Sequence, residues 1–178
     1  VRQGDSVYNR AYIFDREGKE IGEYDKMHGF SFAKEPLFFE QGNRTVHFHL
    51  DGLSCSMAIC YDIRFPEWIR RQVLAGETDL FFVPAAWPEK RLFHWTLLNQ
   101  ARAVENQMYL CAVNQGGVSG ATQYAGNSVL LDPWGEDVCR LGTEEEIAVG
   151  EIDTEVIQKI RNTIYVFKDR RPEFDVVK

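Results

Sequence analysis

The sequence lacks the features that would direct it to a membrane or a nucleic acid. No apolar run approaches the ~20 residues that a membrane-spanning helix needs. Positive charge is not in excess either, because 27 acidic residues face 20 basic ones, for a net charge of −7. The sequence therefore predicts no nucleic acid and no membrane as partner. A small anionic substrate stays compatible with it, because a local basic pocket can override the overall charge.

Paired cysteines and metal-binding patterns are scarce as well. The four cysteines, at positions 55, 60, 111 and 139, show no C-x-x-C spacing, and the first three lie in apolar runs typical of strands. Reduced thiols in a cytoplasmic compartment are the simplest interpretation. His47 and His49 alternate along a predicted strand, which is more typical of a solvated face than of a metal site. We therefore predict no metal centre.

The chain has the length and composition of one globular domain, predicted over residues 1–178. Strand-like runs alternate with helix-like segments and hairpins, which predicts a mixed α/β sheet covered on both faces. The predicted elements are hairpins over Val7–Phe14 with Glu20–Tyr24, Thr45–Leu50 with Leu53–Ile59, and Asn127–Leu131 with Asp137–Leu141; a long ordered loop, Lys26–Asn43; strands Asp79–Val83, Tyr109–Val113 and Ile147–Ile152; helices Pro66–Ala75, Leu92–Asn106 and one capped by Asp153 that ends near Arg161; and an extended tail, Tyr165–Lys178.

The segment most informative about function is Ala58–Glu67. An apolar, strand-like run ends at Cys60, and Pro66 suits the first turn of a helix. A side chain at such a junction lies at the end of the strand, and the following backbone N–H groups point toward whatever it attacks. This is the geometry of an acyl-transfer nucleophile. A lone cysteine is more often a small buried apolar residue, so both interpretations stay open here.

Charged residues stand near this cysteine and at the start of the long loop. Lys26 lies where a predicted strand ends, and Glu35 lies within the loop. An ammonium group beside a thiol would stabilise both the thiolate and an oxyanion. Each residue also has an ordinary explanation: Lys26 and Glu35 as solvated surface charges, and Arg64 with Glu67 as an ion pair at a helix start.

Several motifs follow one another in order along the chain. They are Tyr24–His28, Cys60–Glu67, Ala86–Pro88 with His94 and Trp95, Ala101–Gln107, Ala125–Ser128, Asp132–Glu136 and Val166–Pro172. With them the chain resembles the nitrilase, or carbon–nitrogen hydrolase, superfamily, and within it the ω-amidase-like bacterial branch. The resemblance extends over essentially the whole sequence and implies an α/β fold, the nitrilase-like αββα sandwich.

The resemblance also implies a Glu–Lys–Cys catalytic triad. By match, Cys60 is the nucleophile, and Lys26 stabilises the tetrahedral intermediate together with the backbone N–H of Tyr61. Glu35 matches an accessory glutamate that positions the lysine and the substrate.

Three aromatic residues and one histidine are the candidates for substrate binding. Trp87 and Phe30, with Phe32, are candidates to line the acyl pocket, although aromatic residues there fit a core equally well. His94 is similar to a family histidine near the site, without the role of base. A papain-like pairing of Cys60 with a histidine is the rival hypothesis, and the lysine and glutamate matches make it the weaker one.

One part of the family pattern has no counterpart in these residues. The general-base glutamate of the family lies upstream of the motifs found here, so we expect it outside this chain, before Val1. We accordingly expect the chain to be the C-terminal part, about two-thirds, of a longer domain.

The function implied is hydrolysis of a small linear amide, such as the 2-oxo acid ω-amide 2-oxoglutaramate, to carboxylate and ammonia. It would proceed through a Cys60 thioester and require no cofactor. The alternatives are hydrolysis of an N-carbamoyl compound or another short acyl amide, or a catalytically silent partner subunit. A homodimer is expected, with the tail Val166–Pro172 crossing to the second subunit or, alternatively, folding back on its own sheet.

Overall fold

The computed structural model of the chain describes residues 1–175. Its helices are α1 (Pro66–Gly76), α2 (Leu92–Asn106) and α3 (Thr154–Arg161). Its strands are β1 (Arg2–Gln3), β2 (Ser6–Val7), β3 (Arg10–Phe14), β4 (Glu20–Asp25), β5 (His47–Leu50), β6 (Leu53–Met57), β7 (Leu80–Ala85), β8 (Tyr109–Asn114), β9 (Val118–Ser119), β10 (Thr122–Gln123), β11 (Val129–Leu131) and β12 (Asp137–Arg140). Over residues 1–175, no helix combines the length and the apolar character needed to cross a bilayer.

The framework of the molecule is a six-stranded mixed sheet in the order β12-β11-β8-β7-β6-β5. Strands β6, β7 and β8 run parallel, and the remaining pairs are antiparallel. Parallel neighbours need crossover connections, which α1 and α2 supply. The predicted mixed α/β organisation is confirmed. It brings the carboxyl ends of β6 and β7 to one edge of the sheet.

Apolar side chains cover both faces of this sheet. The helices α1 and α2 pack on one face through Ile69, Val73, Trp95 and Ala103. The other face is covered by residues of the β3–β4 hairpin and of α3, which include Ile13, Tyr24 and Ile157. Within residues 1–175 the six-stranded sheet is the one large sheet, and the β3–β4 hairpin forms the second β layer.

Local signals in the sequence placed several elements correctly. Helix α2 has the predicted bounds, and Asp51 and Gly52 turn between β5 and β6 with positive φ angles of 49° and 83°. Such angles are those of the tight hairpin turn that Asp-Gly favours. Asp153 caps α3 by accepting a hydrogen bond of 2.9 Å from the N–H of Glu155. These three predictions depended on short-range chemistry, and all are confirmed.

The strand predicted over Ile147–Ile152 is wrong. This segment has no regular secondary structure, and Ile147 and Val149 are 94% and 90% exposed. A strand needs a neighbour to complete its backbone hydrogen bonds. Among the described residues β12 is an edge of the sheet, and this segment does not continue the ladder beyond it.

The tail after α3 is also different from its prediction. The prediction for this tail is an extended chain over Tyr165–Lys178. Within residues 165–175 successive turns replace it, with a hydrogen bond of 2.8 Å from the N–H of Asp169 to the carbonyl of Tyr165. Phe167 packs on the helix-side core, and the guanidinium groups of Arg70 and Arg161 lie 5.2 and 5.5 Å from the centroid of its ring. Residues 176–178 of the prediction lie outside the described residues. Crossing of the tail to a second subunit stays a prediction.

Helix α2 offers a matched test of this core. Trp95 is fully buried against the sheet, whereas Phe93 on the same helix is 72% exposed. We expect Trp95→Ala to lower the free energy of unfolding by about 3–5 kcal/mol, because it leaves a cavity in a packed interior. Phe93→Ala should change it by less than about 0.5 kcal/mol. Urea unfolding measures both, and equal losses would contradict the packing described here.

Candidate active site

Cys60 lies just beyond the carboxyl end of β6, where the chain changes from strand to helix. It begins a 3₁₀ turn, Cys60–Arg64, that leads into α1. Its φ angle is +49°, in the left-handed region that residues other than glycine rarely occupy. Such strain persists only where surrounding contacts hold it. The strand–helix junction expected from the sequence is present, and Cys60 lines a cavity at that edge of the sheet.

Lys26 directly follows β4, and its ammonium group is buried. Its side chain is 4% exposed, and Nζ lies 2.6 Å from Oε2 of Glu35. The same oxygen accepts a hydrogen bond of 2.8 Å from the backbone N–H of Phe30, which fixes the carboxylate within its loop. These contacts overturn the alternative of solvated surface charges for both residues. The pair is instead a component of the cavity wall.

Backbone contacts fix the position of Lys26. Its N–H donates to the carbonyl of Asn9 at 2.9 Å, and its own carbonyl accepts from Gly42 at 2.8 Å. A Cβ atom on Gly42 would stand 2.2 Å from the carbonyl oxygen of Asp25, so this close approach requires glycine. Arg10 holds the Asp25 carboxylate with two bonds of 2.6 and 2.7 Å. The hydrogen bond from Gly42 therefore holds the end of the long loop against the end of β4, which Lys26 directly follows.

One cavity of about 670 Å³ contains the side chains that the sequence singled out. Its lining includes Lys26, Glu35, Cys60 and Tyr61, together with the predicted pocket residues Phe30 and Trp87. Phe32 also contacts the cavity but is 82% exposed, as expected of a residue at its mouth. His94 is not part of this lining: its Nδ1 lies 3.2 Å from Nη2 of Arg64, behind that guanidinium group.

Two arginines of the cavity wall were missed as site residues by the sequence analysis. Arg64 forms no ion pair with Glu67 and instead stacks 4.8 Å over the ring of Trp87. Arg91 lies 5.4 Å over the ring of Phe30. Within residues 1–175 neither guanidinium group pairs with an acidic side chain. The basic residues that follow the Ala86–Pro88 motif were the signal for Arg91.

The electrostatics of the thiol reflect two opposing influences. Burial raises the pKa of the Cys60 thiol above its ordinary value, and this is the dominant cause. Lys26 opposes burial most strongly, and a hydrogen bond from the Ala86 backbone acts in the same direction. The charges of Glu35 and Asp62 add to the increase of the pKa. The ammonium group is therefore the main local influence that favours the reactive thiolate.

Known proteins resemble this chain in sequence and in fold. The family model described as carbon-nitrogen hydrolase matches residues 1–162. The chain belongs to the carbon-nitrogen hydrolase family. The 2-oxoglutaramate amidase of Bacillus subtilis is 43% identical over 173 residues, which are 97% of this chain and 66% of that protein. The yeast (Saccharomyces cerevisiae) Omega-amidase NIT3 is 34% identical over 182 residues, covering 97% and 61% of the two chains.

Solved structures agree with the family assignment. A carbon-nitrogen hydrolase superfamily protein from Xanthomonas campestris, described with an arsenic adduct in its active site, superposes with a TM-score of 0.91 at 29% identity. The match covers 100% of this chain and 68% of that one. The nitrilase-superfamily fold inferred from the motifs is confirmed at this level. This carbon-nitrogen hydrolase chain spans about two-thirds of the length of the curated relatives named above.

The role of Lys26 in thiol ionisation can be measured directly. We expect Lys26→Met to move the pH profile of Cys60 alkylation to higher pH, because the pKa of a buried thiol increases further without the ammonium group. Iodoacetamide labelling followed by intact mass measures the rate. Lys34→Met, an exposed change in the same loop, is the matched control and should leave the profile unchanged. An unshifted profile for Lys26→Met would contradict the assignment.

Proposed function

We propose that the protein hydrolyses the ω-amide of a small 2-oxo acid, 2-oxoglutaramate or a close analogue, to a carboxylate and ammonia. The observation that carries the proposal is the convergence of Cys60, Lys26 and Glu35 on one cavity at the carboxyl edge of the sheet. Relatives named 2-oxoglutaramate amidase and omega-amidase, at 43% and 34% identity, support an amide as substrate.

In this proposal the thiolate of Cys60 attacks the amide carbon and forms a carbon–sulfur bond. The π electrons of the carbonyl move to its oxygen, and the resulting oxyanion is stabilised by the Lys26 ammonium group and the Tyr61 N–H. The first N–H groups of the 3₁₀ turn have no carbonyl partner within that turn, so they are free to donate. Collapse of the intermediate breaks the carbon–nitrogen bond, and the nitrogen leaves as ammonia after it takes up the proton that the general base removed from the thiol.

Water then attacks the thioester, breaks the carbon–sulfur bond and releases the carboxylate product. Both half-reactions need a base, first for the thiol and then for water. Glu35 is already engaged by Lys26 and the Phe30 N–H. The proposal therefore assigns the base to a carboxylate outside these residues, as the family resemblance implies, in a longer protein that completes the αββα sandwich.

The two arginines of the cavity wall support a substrate with its own carboxylate. Arg64 and Arg91 lie close enough for Arg91 to lower the pKa of the Arg64 guanidinium, although burial is the larger cause of that decrease. An anion between them would relieve this repulsion, and arginine suits planar carboxylates. The ω-amide of a 2-oxo acid carries such a carboxylate at the end opposite its amide. A neutral amide would leave both cations without a partner.

The nucleophile is tested by replacing Cys60 with alanine in the intact protein. We expect Cys60→Ala to abolish release of ammonia from 2-oxoglutaramate and to leave the circular dichroism spectrum unchanged. Cys111→Ala is the matched control, because Cys111 lies on β8 and does not line the cavity. It should retain most of the activity. Undiminished turnover by Cys60→Ala would exclude the thioester mechanism.

Substrate class is tested by removing the cavity cations. We expect Arg64→Met and Arg91→Met each to raise KM for 2-oxoglutaramate by about tenfold or more, since a charge-assisted hydrogen bond contributes roughly 1.5–3 kcal/mol. Their effect on a neutral amide such as butyramide should be much smaller. Arg71→Met, an exposed change on α1, is the control. Equal losses on charged and neutral amides would contradict carboxylate recognition.

A further inference from the structure

Asp62 is fully buried two residues after Cys60, and its carboxylate accepts a complete set of hydrogen bonds. Its Oδ1 lies 2.8 Å from the backbone nitrogen and 2.9 Å from Nδ1 of His28. Its Oδ2 accepts from the Tyr24 hydroxyl at 2.9 Å and from the Ile59 N–H at 3.1 Å. A buried carboxylate without such donors would be strongly destabilising. These four hydrogen bonds are therefore what makes the burial of the Asp62 carboxylate possible.

These donors come from two segments that carry the reacting side chains. The lysine segment is Tyr24–His28, with Lys26 at its centre, and the cysteine segment is Ile59–Asp62, which contains Cys60. In the described part of the chain, every hydrogen bond that joins the two segments ends on the Asp62 carboxylate. Since the segments are far apart in sequence, this carboxylate is their direct polar connection.

Aromatic contacts make the connection rigid. The indole Nε1 of Trp68, on α1, donates to the Tyr24 hydroxyl at 2.9 Å, so this hydroxyl both accepts a hydrogen bond and donates one. The His28 ring stacks on Phe65 with ring centroids 3.7 Å apart. Networks of this kind hold their members in one geometry. They also provide the surrounding constraint that the left-handed conformation of Cys60 requires.

We propose that Asp62 is a positioning residue that fixes the Lys26 ammonium group relative to the Cys60 thiol. Asp62 does not line the cavity, so it acts through these two residues and not on the substrate. The inference rests on the proposed function for its catalytic meaning. Its physical basis is that a charge–charge interaction weakens with distance and that small displacements of reacting groups reduce rates strongly.

The negative charge of Asp62 by itself would make Cys60 less reactive, whereas the positioning of Lys26 by Asp62 would make Cys60 more reactive. A carboxylate near a thiol disfavours the thiolate, and Asp62 raises the pKa of Cys60 in this way, alongside Glu35 and against Lys26. Removing the charge alone would therefore make Cys60 more reactive. Loss of the Lys26 placement would make it less reactive. The two roles of Asp62 are distinguished by the sign of one measured change.

The test is the rate of Cys60 alkylation by iodoacetamide at neutral pH, followed by intact mass in the full-length protein. Asp62→Asn is compared with the unaltered protein, and the same change is made on a Lys26→Met background. We expect Asp62→Asn to slow alkylation by about threefold or more when Lys26 is present, because the ammonium group moves away from the sulfur. On the Lys26→Met background it should cause no slowing.

Two outcomes would overturn the proposal. Faster alkylation in both backgrounds would mean that Asp62 acts only through its charge. Equal slowing in both backgrounds would mean that the change damages the cysteine segment independently of the lysine. A double-mutant comparison isolates the coupling between the two positions in this way.

A gentler variant keeps the proposal testable if Asp62→Asn does not fold. Tyr24→Phe removes one donor to Asp62 without changing charge, and Thr78→Val is its matched control. Thr78 is also fully buried, and its hydroxyl lies 2.8 Å from that of Ser56, away from the cavity. Tyr24→Phe should slow alkylation and lower kcat with KM changed less than about twofold, whereas Thr78→Val should change neither. Equal effects of the two variants would overturn the proposal.

Alkylation and amide hydrolysis answer separate questions. If the full-length protein releases no ammonia from any ω-amide, the proposed function fails, and the alkylation series still decides the role of Asp62. If hydrolysis occurs and Asp62→Asn leaves both kcat and alkylation unchanged, the positioning role alone fails.

Discussion

The site depends on an ammonium group that is buried beside a thiol. Burial of a charge is unfavourable unless a partner accompanies it. The Glu35 carboxylate, 2.6 Å from Lys26, is that partner, and the Phe30 N–H fixes its position in turn. The ordered course of the loop after β4 follows from this requirement, as does the close backbone approach that Gly42 permits. The same ammonium group opposes the effect of burial on the pKa of Cys60.

The sheet determines where this chemistry takes place. Because β6 and β7 are parallel, the residues that follow them meet at one edge, which is where ligands bind in open α/β sheets. Cys60 follows β6 and Trp87 follows β7, and the β4 end brings Lys26 to the same place. The local charge there contrasts with the net charge of −7 of the whole chain. Arg64 and Arg91 place two guanidinium groups in the cavity of a negatively charged chain.

Much of the fold was predictable because its signals are local. The Asp51-Gly52 turn, the bounds of α2 and the Asp153 cap each depend on the chemistry of a few neighbouring residues. The strand predicted over Ile147–Ile152 failed because an alternating apolar pattern does not supply a neighbour for its backbone. The prediction of an extended tail failed because it also depended on contacts that are not local. Phe167 packs against Arg70, which is distant in the sequence, and against Arg161.

The sequence by itself determined the family and the order of its motifs, and it identified Cys60 at a strand–helix junction, since these are written in contiguous residues. Tertiary structure alone decided that Lys26 is buried against Glu35, that Arg64 turns to the cavity and not to Glu67, and that Asp62 joins the lysine segment to the cysteine segment. Those facts involve side chains from distant parts of the sequence. These side chains come into contact only after the sheet has brought their segments together, so no pattern of neighbouring residues predicts the contacts.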